Sequence, residues 1–143
     1  MFVLGGREMA GALDEVREVV RATGIEGLAG TRAPVTGLLE LRGTPVPVVD
    51  LRSDADPGQS GDVLVLRTTE GVLGLAVDRV VSVLGPDELQ PPSAAEPRPH
   101  GLPSYVTEVR RDATARAVLV VSLPALAGLG APDLAVCRDT PAT

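Results

Sequence analysis

The sequence predicts an all-β protein made of two small, partly open barrels that pack side by side. Three observations support this fold class: an abundance of valine, three pairs of apolar arms separated by turn residues, and an internal repeat. Valine is β-branched and favours strands over helices. Phe2 and Tyr105 are the only aromatic residues, so the core is expected to consist of Val, Leu and Ala.

Length, charge and cysteine content limit the functional classes. A chain of 143 residues fits one domain or a closely fused pair of small ones. Its net charge of −6 argues against nucleic acid as a partner, because such binding needs clustered positive charge and usually stacking aromatic side chains. No apolar run approaches the roughly 20 residues that span a bilayer, and the single Cys137 lies in a polar tail. We therefore expect a cytoplasmic protein with no direct membrane insertion and no intramolecular disulfide.

The most informative stretch, residues 37–52, predicts a β-hairpin in which two apolar arms flank a break at Gly43-Thr44. Pro45 and Pro47 lie two residues apart in the second arm and remove amide donors from one lateral edge. A central strand does not tolerate that loss. We therefore expect this arm at a sheet edge or at the open seam of a barrel.

One charged side chain, Arg42, lies in this apolar hairpin just before the predicted turn. Its planar fork of donors suits the capture of a carboxylate or of backbone carbonyls, which favours a positioned, partner-binding arginine. The alternative interpretation is a solvated arginine at a strand end.

The other elements follow from apolar arms and from the residues that interrupt them. Phe2 starts a short strand at 2–4, and Gly5-Gly6 turns the chain into a second strand near 9–12. Within 13–21, Leu13 and Val16 have helical spacing but the valines oppose a long helix, so we predict a helical turn followed by a strand.

The rest of the chain is read in the same way. We predict a loop at 23–34, an exposed linker at 53–62, a hairpin of 63–66 and 72–77 that turns at 69–71 and continues through 80–84, a stretch at 85–103 too rich in Pro and Gly for more than one turn, a hairpin of 105–109 and 117–121, and a capped helix over 122–127 that ends at Gly128.

The chain also matches itself. Residues 12–20 and 76–84 share the pattern A-[LV]-D-[ER]-V-x-[ES]-V-[VL], and 40–42 and 48–51 match 108–110 and 120–123. The offset grows from 64 to 72 residues, as expected if short insertions accumulated in loops. We infer a duplication, with the matching segments in the same conformation, in which each half has open edges and needs the other for its core.

Little in the sequence indicates catalysis or metal binding. The only histidine, His100, lies in a Pro-rich stretch, and no H-E-x-x-H, C-x-x-C, EF-hand or P-loop pattern occurs. Asp54 and Asp56 form a carboxylate pair, but the composition of the linker already explains them. We predict no catalytic residue, no metal site and no cofactor.

Apolar residues of the two repeated segments exceed what two small barrels need to bury. They are Leu13, Val16, Val19 and Val20 in the first segment and Val77, Val80, Val83 and Leu84 in the second. If the segments meet between the barrels, the surplus would line an apolar groove that accepts a helix from another protein. The alternative is that each residue simply belongs to the core.

The hairpin motif G-x-[LI]-x-L-R-G-x-x-[VI]-P-V-x-D-L-R, which residues 37–52 match, resembles the signature of the CheW-like family, the coupling proteins of bacterial chemotaxis. The resemblance extends over residues 4–129 and is also carried by 74–80 and 14–20. Glu40 stands where the family usually has Asn, and we expect it to pair with neighbouring basic groups and to weaken contacts at that face. Glu108 and Ser122 replace the usual Gly and Asp.

The resemblance implies a non-enzymatic scaffold of two five-stranded SH3-like barrels with a pseudo-two-fold relation. It implies two partners: the cytoplasmic helical tip of a chemoreceptor, docked between the barrels, and the regulatory domain of a CheA-type histidine kinase, paired barrel to barrel. On this basis we predict one CheW-like domain over 1–135, with two intertwined barrel subdomains from sequence halves of about 1–55 and 62–129, and a flexible tail over 136–143. Membrane localisation would come only through receptor complexes.

The residues predicted to bind partners are Arg42, Glu40, Leu41, Gly43, Val16, Val19, Val20, Val80, Val83 and Leu84. Two other functions stay open. One is a CheW-like docking or regulatory module of a different two-component system, or a fragment of a larger kinase. The other is a small ligand-binding or enzymatic β-barrel.

Overall fold

Two five-stranded sheets account for most of the chain in the computed structural model, which describes residues 1–27, 35–52, 61–69, 71–85, 87–91 and 101–128. The all-β prediction is confirmed, because the described helical pieces are only a 3₁₀ helix and one short α-helix. The strands are β1 (Phe2–Leu4), β2 (Arg7–Ala10), β3 (Val16–Arg21), β4 (Gly37–Leu41), β5 (Thr44–Asp50), β6 (Asp62–Thr68), β7 (Gly71–Val77), β8 (Arg79–Val80), β9 (Val106–Arg111) and β10 (Ala117–Val121). The 3₁₀ helix spans Leu13–Glu15 and α1 spans Leu123–Ala127.

Each sheet forms a small SH3-like barrel that takes strands from both halves of the sequence. Barrel 1 has the strand order β8-β1-β2-β10-β9, and barrel 2 has the order β3-β6-β7-β5-β4. The chain leaves barrel 1 after β2 to add β3 to barrel 2, and leaves barrel 2 after β7 to add β8 to barrel 1. These two crossings lie in the two repeated segments, which therefore meet between the barrels.

Strand registers relate the barrels by a pseudo-two-fold and confirm the duplication. A shift of 64 residues converts the β1–β2 pairing into the β6–β7 pairing, and it exchanges β1–β8 for β6–β3. The parallel pairs β2–β10 and β7–β5 correspond in the same way. The equivalent pairs are Phe2↔Met9 with Leu66↔Leu73, Phe2↔Val80 with Leu66↔Val16, and Ala10↔Val120 with Gly74↔Val48.

One of the three sequence matches is wrong. The segment that begins at Glu108 does not correspond to the segment that begins at Glu40, because Glu108 lies opposite Val120 and the equivalent valine, Val48, lies opposite Gly37. Glu40 pairs with a residue three positions before Val48. The structural equivalent of Glu108 is therefore Gly37.

Two threonines support the corrected alignment. The hydroxyl of Thr36 donates to the carbonyl of Val48 at 3.2 Å, and the hydroxyl of Thr107 donates to the carbonyl of Val120 at 3.1 Å. Thr107 also carries a β-bulge, since its neighbours Val106 and Glu108 pair with consecutive residues of β10. This extra residue, together with unequal hairpin loops, explains why the sequence offset misled the alignment.

The larger of two cores lies between the barrels, and the smaller lies inside barrel 2. The larger core takes side chains from both sheets and from α1, including the fully buried Leu4, Leu66 and Leu126. The smaller core includes Val63 and Val65. Strand β6 serves both cores because successive side chains of a strand point to opposite faces.

The second arm of the first hairpin, β5, is not an edge strand, contrary to the prediction. It lies between β4 and β7, and its parallel pairing with β7 runs from Val48 to Asp50. Pro45 and Pro47 lie before that ladder, where β5 pairs only with β4. The missing amide donors are therefore confined to a free stretch of an otherwise internal strand.

The turn of this hairpin is Arg42-Gly43 rather than the predicted Gly43-Thr44. Leu41 pairs with Thr44, so a two-residue loop connects the strands. Both loop residues have positive φ, +49° for Arg42 and +82° for Gly43. These angles are typical of a type I′ turn, whose twist matches that of the strands. Arg42 therefore lies in the turn itself.

Other predicted elements are confirmed, with one exception. The helical turn and strand within 13–21, the hairpins β6–β7 and β9–β10, and helix α1 all occur. The side chain of Ser122 accepts a hydrogen bond from the amide of Ala125 at 3.4 Å, as predicted for a capped helix. The strand predicted at 80–84 ends at Val80, because its partner β1 begins at Phe2 and the amides of Val81 and Ser82 both donate to the Met1 carbonyl.

Several predictions lie outside the described residues, wholly or in part. They concern the loop at 28–34, the linker with Asp54 and Asp56, the turn residue Glu70, the Pro-rich stretch with His100, and the tail with Cys137.

Gly61 allows β6 to start close to β7, and we expect Gly61→Ala to destabilise the fold. A Cβ atom at Gly61 would lie 2.6 Å from the backbone carbonyl oxygen of Val77 and 2.6 Å from the Arg52 side chain. The backbone must then shift, which also strains the hydrogen bond from the Ala22 amide to the Gly61 carbonyl. Urea denaturation should show a loss of about 1–3 kcal/mol. Gly27→Ala, where no atom lies within 4 Å, is the matched control, and an equal effect of both changes would contradict this prediction.

Asp112 holds the β9–β10 turn, and we expect it to titrate at low pH. Its carboxylate accepts hydrogen bonds from the Thr114 hydroxyl at 2.7 Å and from the amides of Thr114 and Arg116 at 2.9 Å. These bonds, that of the hydroxyl first, lower the pKa of Asp112. Because the folded-state pKa lies below the unfolded one, the stabilisation is complete above the unfolded pKa and is lost as the pH falls through the folded pKa. In an NMR titration the Asp112 midpoint should rise in Thr114→Ala, and an unchanged midpoint would refute the assignment.

Candidate functional site

An apolar cleft of ≈ 460 Å³, called here the inter-barrel cleft, opens where the two repeated segments meet. One wall consists of residues from barrel 1 and from the chain that follows β8, and the other comes from the 3₁₀ helix, β3 and β6. The residues that line it are Met1, Phe2, Ala10, Gly11, Ala12, Leu13, Val16, Val19, Leu64, Val80, Ser82, Val83, Leu84, Gly85, Leu89, Glu108, Arg110, Val120, Val121 and Leu123.

Six of the eight apolar residues singled out in the repeats line this cleft. Leu13, Val19 and Val83 are 61%, 45% and 69% exposed, which is unusual for large apolar side chains in a chain of this size. Val16 and Val80 are half-buried and also contact the larger core. Together with Leu84, these residues give the cleft an apolar floor and exposed apolar rims.

Two residues of the predicted set lie elsewhere. Val77 is fully buried in the larger core, because it ends β7 on the face that packs between the barrels. Val20 packs against the smaller core inside barrel 2, since it lies on the opposite face of β3 from Val19. The core interpretation holds for Val77 and the groove geometry excludes Val20.

Sequence reasoning missed Glu108 and Arg110 as lining residues. The bulge at Thr107 places Val106 and Val109 on the core side of β9 and turns Glu108 and Arg110 toward the cleft. A β-bulge re-aims side chains in this way. The departure of Glu108 from the family pattern was the available signal, but the erroneous alignment with Glu40 hid its position.

Arg42 lies at the end of barrel 2 and does not line the cleft. Its guanidinium binds the carboxylate of Glu18, with 2.6 Å between Nη2 and Oε2. Glu18 belongs to β3 and Arg42 connects β4 to β5, so the ion pair joins the two edge strands of barrel 2. The structure therefore shows Glu18, and not the predicted Glu40, as the partner of Arg42.

The other hairpin residues of the predicted set share the location of Arg42. Glu40 is exposed on β4, Gly43 completes the turn, and Leu41 packs against the smaller core. These residues form a face with Arg42 that is separate from the cleft, and their role in binding remains a prediction.

A second ion pair follows β5 near the junction of the barrels. Arg52 binds Asp50 through Nε at 3.0 Å and Nη2 at 2.7 Å, a bidentate arrangement that raises the pKa of the guanidinium. Asp78, between β7 and β8, accepts a hydrogen bond from the Gly5 amide at 2.7 Å. It thereby ties the crossing chain to the β1–β2 turn.

The described ranges offer no arrangement for metal chemistry. They contain no group of three or more His, Cys, Asp or Glu side chains that could hold a metal ion. None of the helices in these ranges has the length and hydropathy of a membrane-spanning segment.

Comparison with known proteins supports the assignment of the fold and of the hairpin. Residues 1–129 match the family model described as CheW-like domain. The chain is 35% identical over 89 residues to the chemotaxis protein CheW of Klebsiella aerogenes, and this match covers 59% of the chain and 54% of the relative. It is 30% identical over 87 residues to the chemotaxis protein CheW of Thermotoga maritima, with 58% of each covered.

A third relative, the probable chemotaxis protein CheW of Rhizobium etli, is 30% identical over 88 residues that cover 58% of the chain and 57% of the relative. The chain thus spans little more than half the length of the curated relatives it matches. The crystal structure of the scaffolding protein TtCheW from Thermoanaerobacter tengcongensis has the same fold, with a TM-score of 0.64 at 20% identity over 85% of this chain and 86% of that one. With the family pattern matched over residues 1–129, this chain belongs to the CheW-like family.

Proposed function

We propose that this chain is a non-enzymatic adaptor that couples chemoreceptors to a CheA-type histidine kinase in the cytoplasm. Membership of the CheW-like family, a family of chemotaxis proteins, supports this function. The observation that carries the proposal is the inter-barrel cleft, in which both repeated segments leave large apolar side chains exposed. Exposed apolar surface of this kind marks a protein interaction site.

In this proposal the cleft binds the cytoplasmic helical tip of a chemoreceptor. An amphipathic helix places its apolar residues at positions i, i+3, i+4 and i+7, which fits a groove with an apolar floor and two apolar rims. Val83 and Leu13 belong to the two rims and would contact opposite edges of the helix.

The regulatory domain of the kinase would bind the second face, the end of barrel 2 that carries Arg42, Glu40, Leu41 and Gly43. This face lies outside the cleft, so both partners could bind at once. The function of the adaptor would then be geometric, since the rigid larger core holds the two faces in a constant relation.

Reconstitution tests this function. The chain is mixed with receptor-containing membranes and with a CheA-type kinase, and sedimentation is followed with each component left out in turn. We expect the chain to sediment with the membranes and to carry the kinase with it. Kinase binding without any receptor binding would instead favour a module of a different two-component system.

A thermal-shift screen with metabolites tests the second class of function. A small ligand-binding or enzymatic barrel would be stabilised by its ligand, by about 2.7 kcal/mol at one hundred times Kd. Such a shift, combined with failure to sediment with receptor and kinase, would overturn the adaptor proposal.

A further inference from the structure

The two barrels differ at the pseudo-equivalent positions of β9 and β4. Glu108 and Arg110 in barrel 1 correspond to Gly37 and Leu39 in barrel 2, because both pairs lie opposite equivalent valines of β10 and β5. Leu39 is buried in the smaller core, whereas Arg110 lines the cleft. Where barrel 2 has an apolar core residue, barrel 1 therefore presents an ion pair to the occupant of the cleft.

This ion pair leaves most of the arginine unused. The Nε of Arg110 donates to Oε1 of Glu108 at 2.6 Å, and the two side chains are 31% and 33% exposed. A guanidinium has five N–H donors, so its two amino groups retain four. Glu108 and Arg110 are the only charged side chains that line the cleft in the described part of the chain.

Resting on the proposed function, we infer that the helix bound in the cleft carries an acidic side chain that pairs with Arg110, and that Arg110 selects such helices. A helix that covers the cleft removes water from the remaining N–H donors of Arg110. Buried donors without acceptors are strongly unfavourable, so the helix must present acceptors at this wall. A carboxylate matches the planar fork and the positive charge at the same time.

Glu108 makes a weaker demand on the partner. Its carboxylate already accepts the Nε of Arg110, and acceptors with one free lone pair are tolerated more often than donors without a partner. Glu108 acts instead as a positioning residue, since it holds the guanidinium with its amino groups free to meet a second carboxylate.

Two synthetic helical peptides test the inference. They share one stripe of Leu and Ala residues, and its flanking positions are Glu in one peptide and Lys in the other. Each is titrated into the full chain by calorimetry at low salt. We expect the Glu-flanked peptide to bind more tightly, although the net charge of −6 alone would favour the Lys-flanked peptide.

Substitutions locate the preference. Arg110→Gln should weaken the Glu-flanked peptide by about tenfold or more, the effect of one charge-assisted hydrogen bond, and Arg110→Lys should restore only part of that loss. Arg79→Gln is the matched control, because it removes the same charge from an exposed residue of the adjacent strand β8 that does not line the cleft.

The outcomes separate this inference from the function on which it rests. Equal binding of both peptides that Val83→Asp abolishes and Arg110→Gln leaves unchanged would overturn the inference alone. Tighter binding of the Lys-flanked peptide, with equal effects of Arg110→Gln and Arg79→Gln, would do the same. Binding of neither peptide would overturn the helix-binding role of the cleft as well.

Discussion

Val83→Asp is expected to weaken binding of a chemoreceptor helical tip on the order of 100-fold while leaving the fold intact. Val83 is 69% exposed in the free protein and lines the inter-barrel cleft, so an aspartate there stays hydrated until the helix binds. Binding would then bury an unpaired charge against apolar side chains, which is strongly unfavourable. The affinity is measured by titration of a receptor fragment, and stability by urea denaturation.

Val81→Asp is the matched control for this change. Val81 is 42% exposed on the same segment, two residues away, but does not line the cleft. We expect it to bind the receptor fragment nearly as the unmodified chain does. Equal losses for Val81→Asp and Val83→Asp, or a fall in stability that accounts for the loss, would show that the cleft is not the receptor site.

Arg42→Ala is expected to reduce kinase binding by about 1–3 kcal/mol with little change in stability. The ion pair with Glu18 is exposed on the arginine side, 67% against 23% for Glu18, and exposed pairs contribute little to folding. The positive φ of +49° is unfavourable for arginine and alanine alike, so the turn itself is not improved or impaired. Arg42→Lys should recover only part of the binding, because an ammonium lacks the planar fork.

The acidic neighbours of Arg42 make this prediction sharper. In the free protein Glu18 occupies the guanidinium, so a partner carboxylate must displace it. Glu18→Gln should therefore strengthen kinase binding, whereas Glu40→Asn, a change toward the usual family residue, should have a smaller effect. Equal affinities of the kinase regulatory domain for the unmodified chain, Arg42→Ala and Glu18→Gln would show that this hairpin is only structural.

Local patterns in the sequence were sufficient for the class of fold and for most elements. Valine-rich arms, turn residues and the Ser122 cap act through contacts within a few residues, and the corresponding strands and helix α1 occur where predicted. The duplication was also visible, because Val16 and Val80 keep their place in two equivalent strand pairs. The exposed valines of the repeats could be predicted to line a groove, since an apolar surplus depends on composition.

The errors concern pairings between distant parts of the chain. Whether β5 is an edge strand depends on β7, which follows more than twenty residues later, and no local signal reports that parallel pairing. The partner of Arg42 is Glu18, at a sequence separation of 24, because barrel closure brings β3 to the end of the hairpin. Val77 and Val20 have the same composition as Val83, but their strand faces place them in cores.

The sequence by itself determined that this chain is an all-β, duplicated protein of the CheW-like family, because periodicity, turn chemistry and a long motif are local properties. Only the tertiary structure decided which side chains meet in the cleft. A single extra residue at Thr107 reverses the face to which Glu108 and Arg110 point, since side chains alternate along a strand. The charged pair of the cleft thus results from strand register, which is set by pairing between β9 and β10 and not by the residues that form the pair.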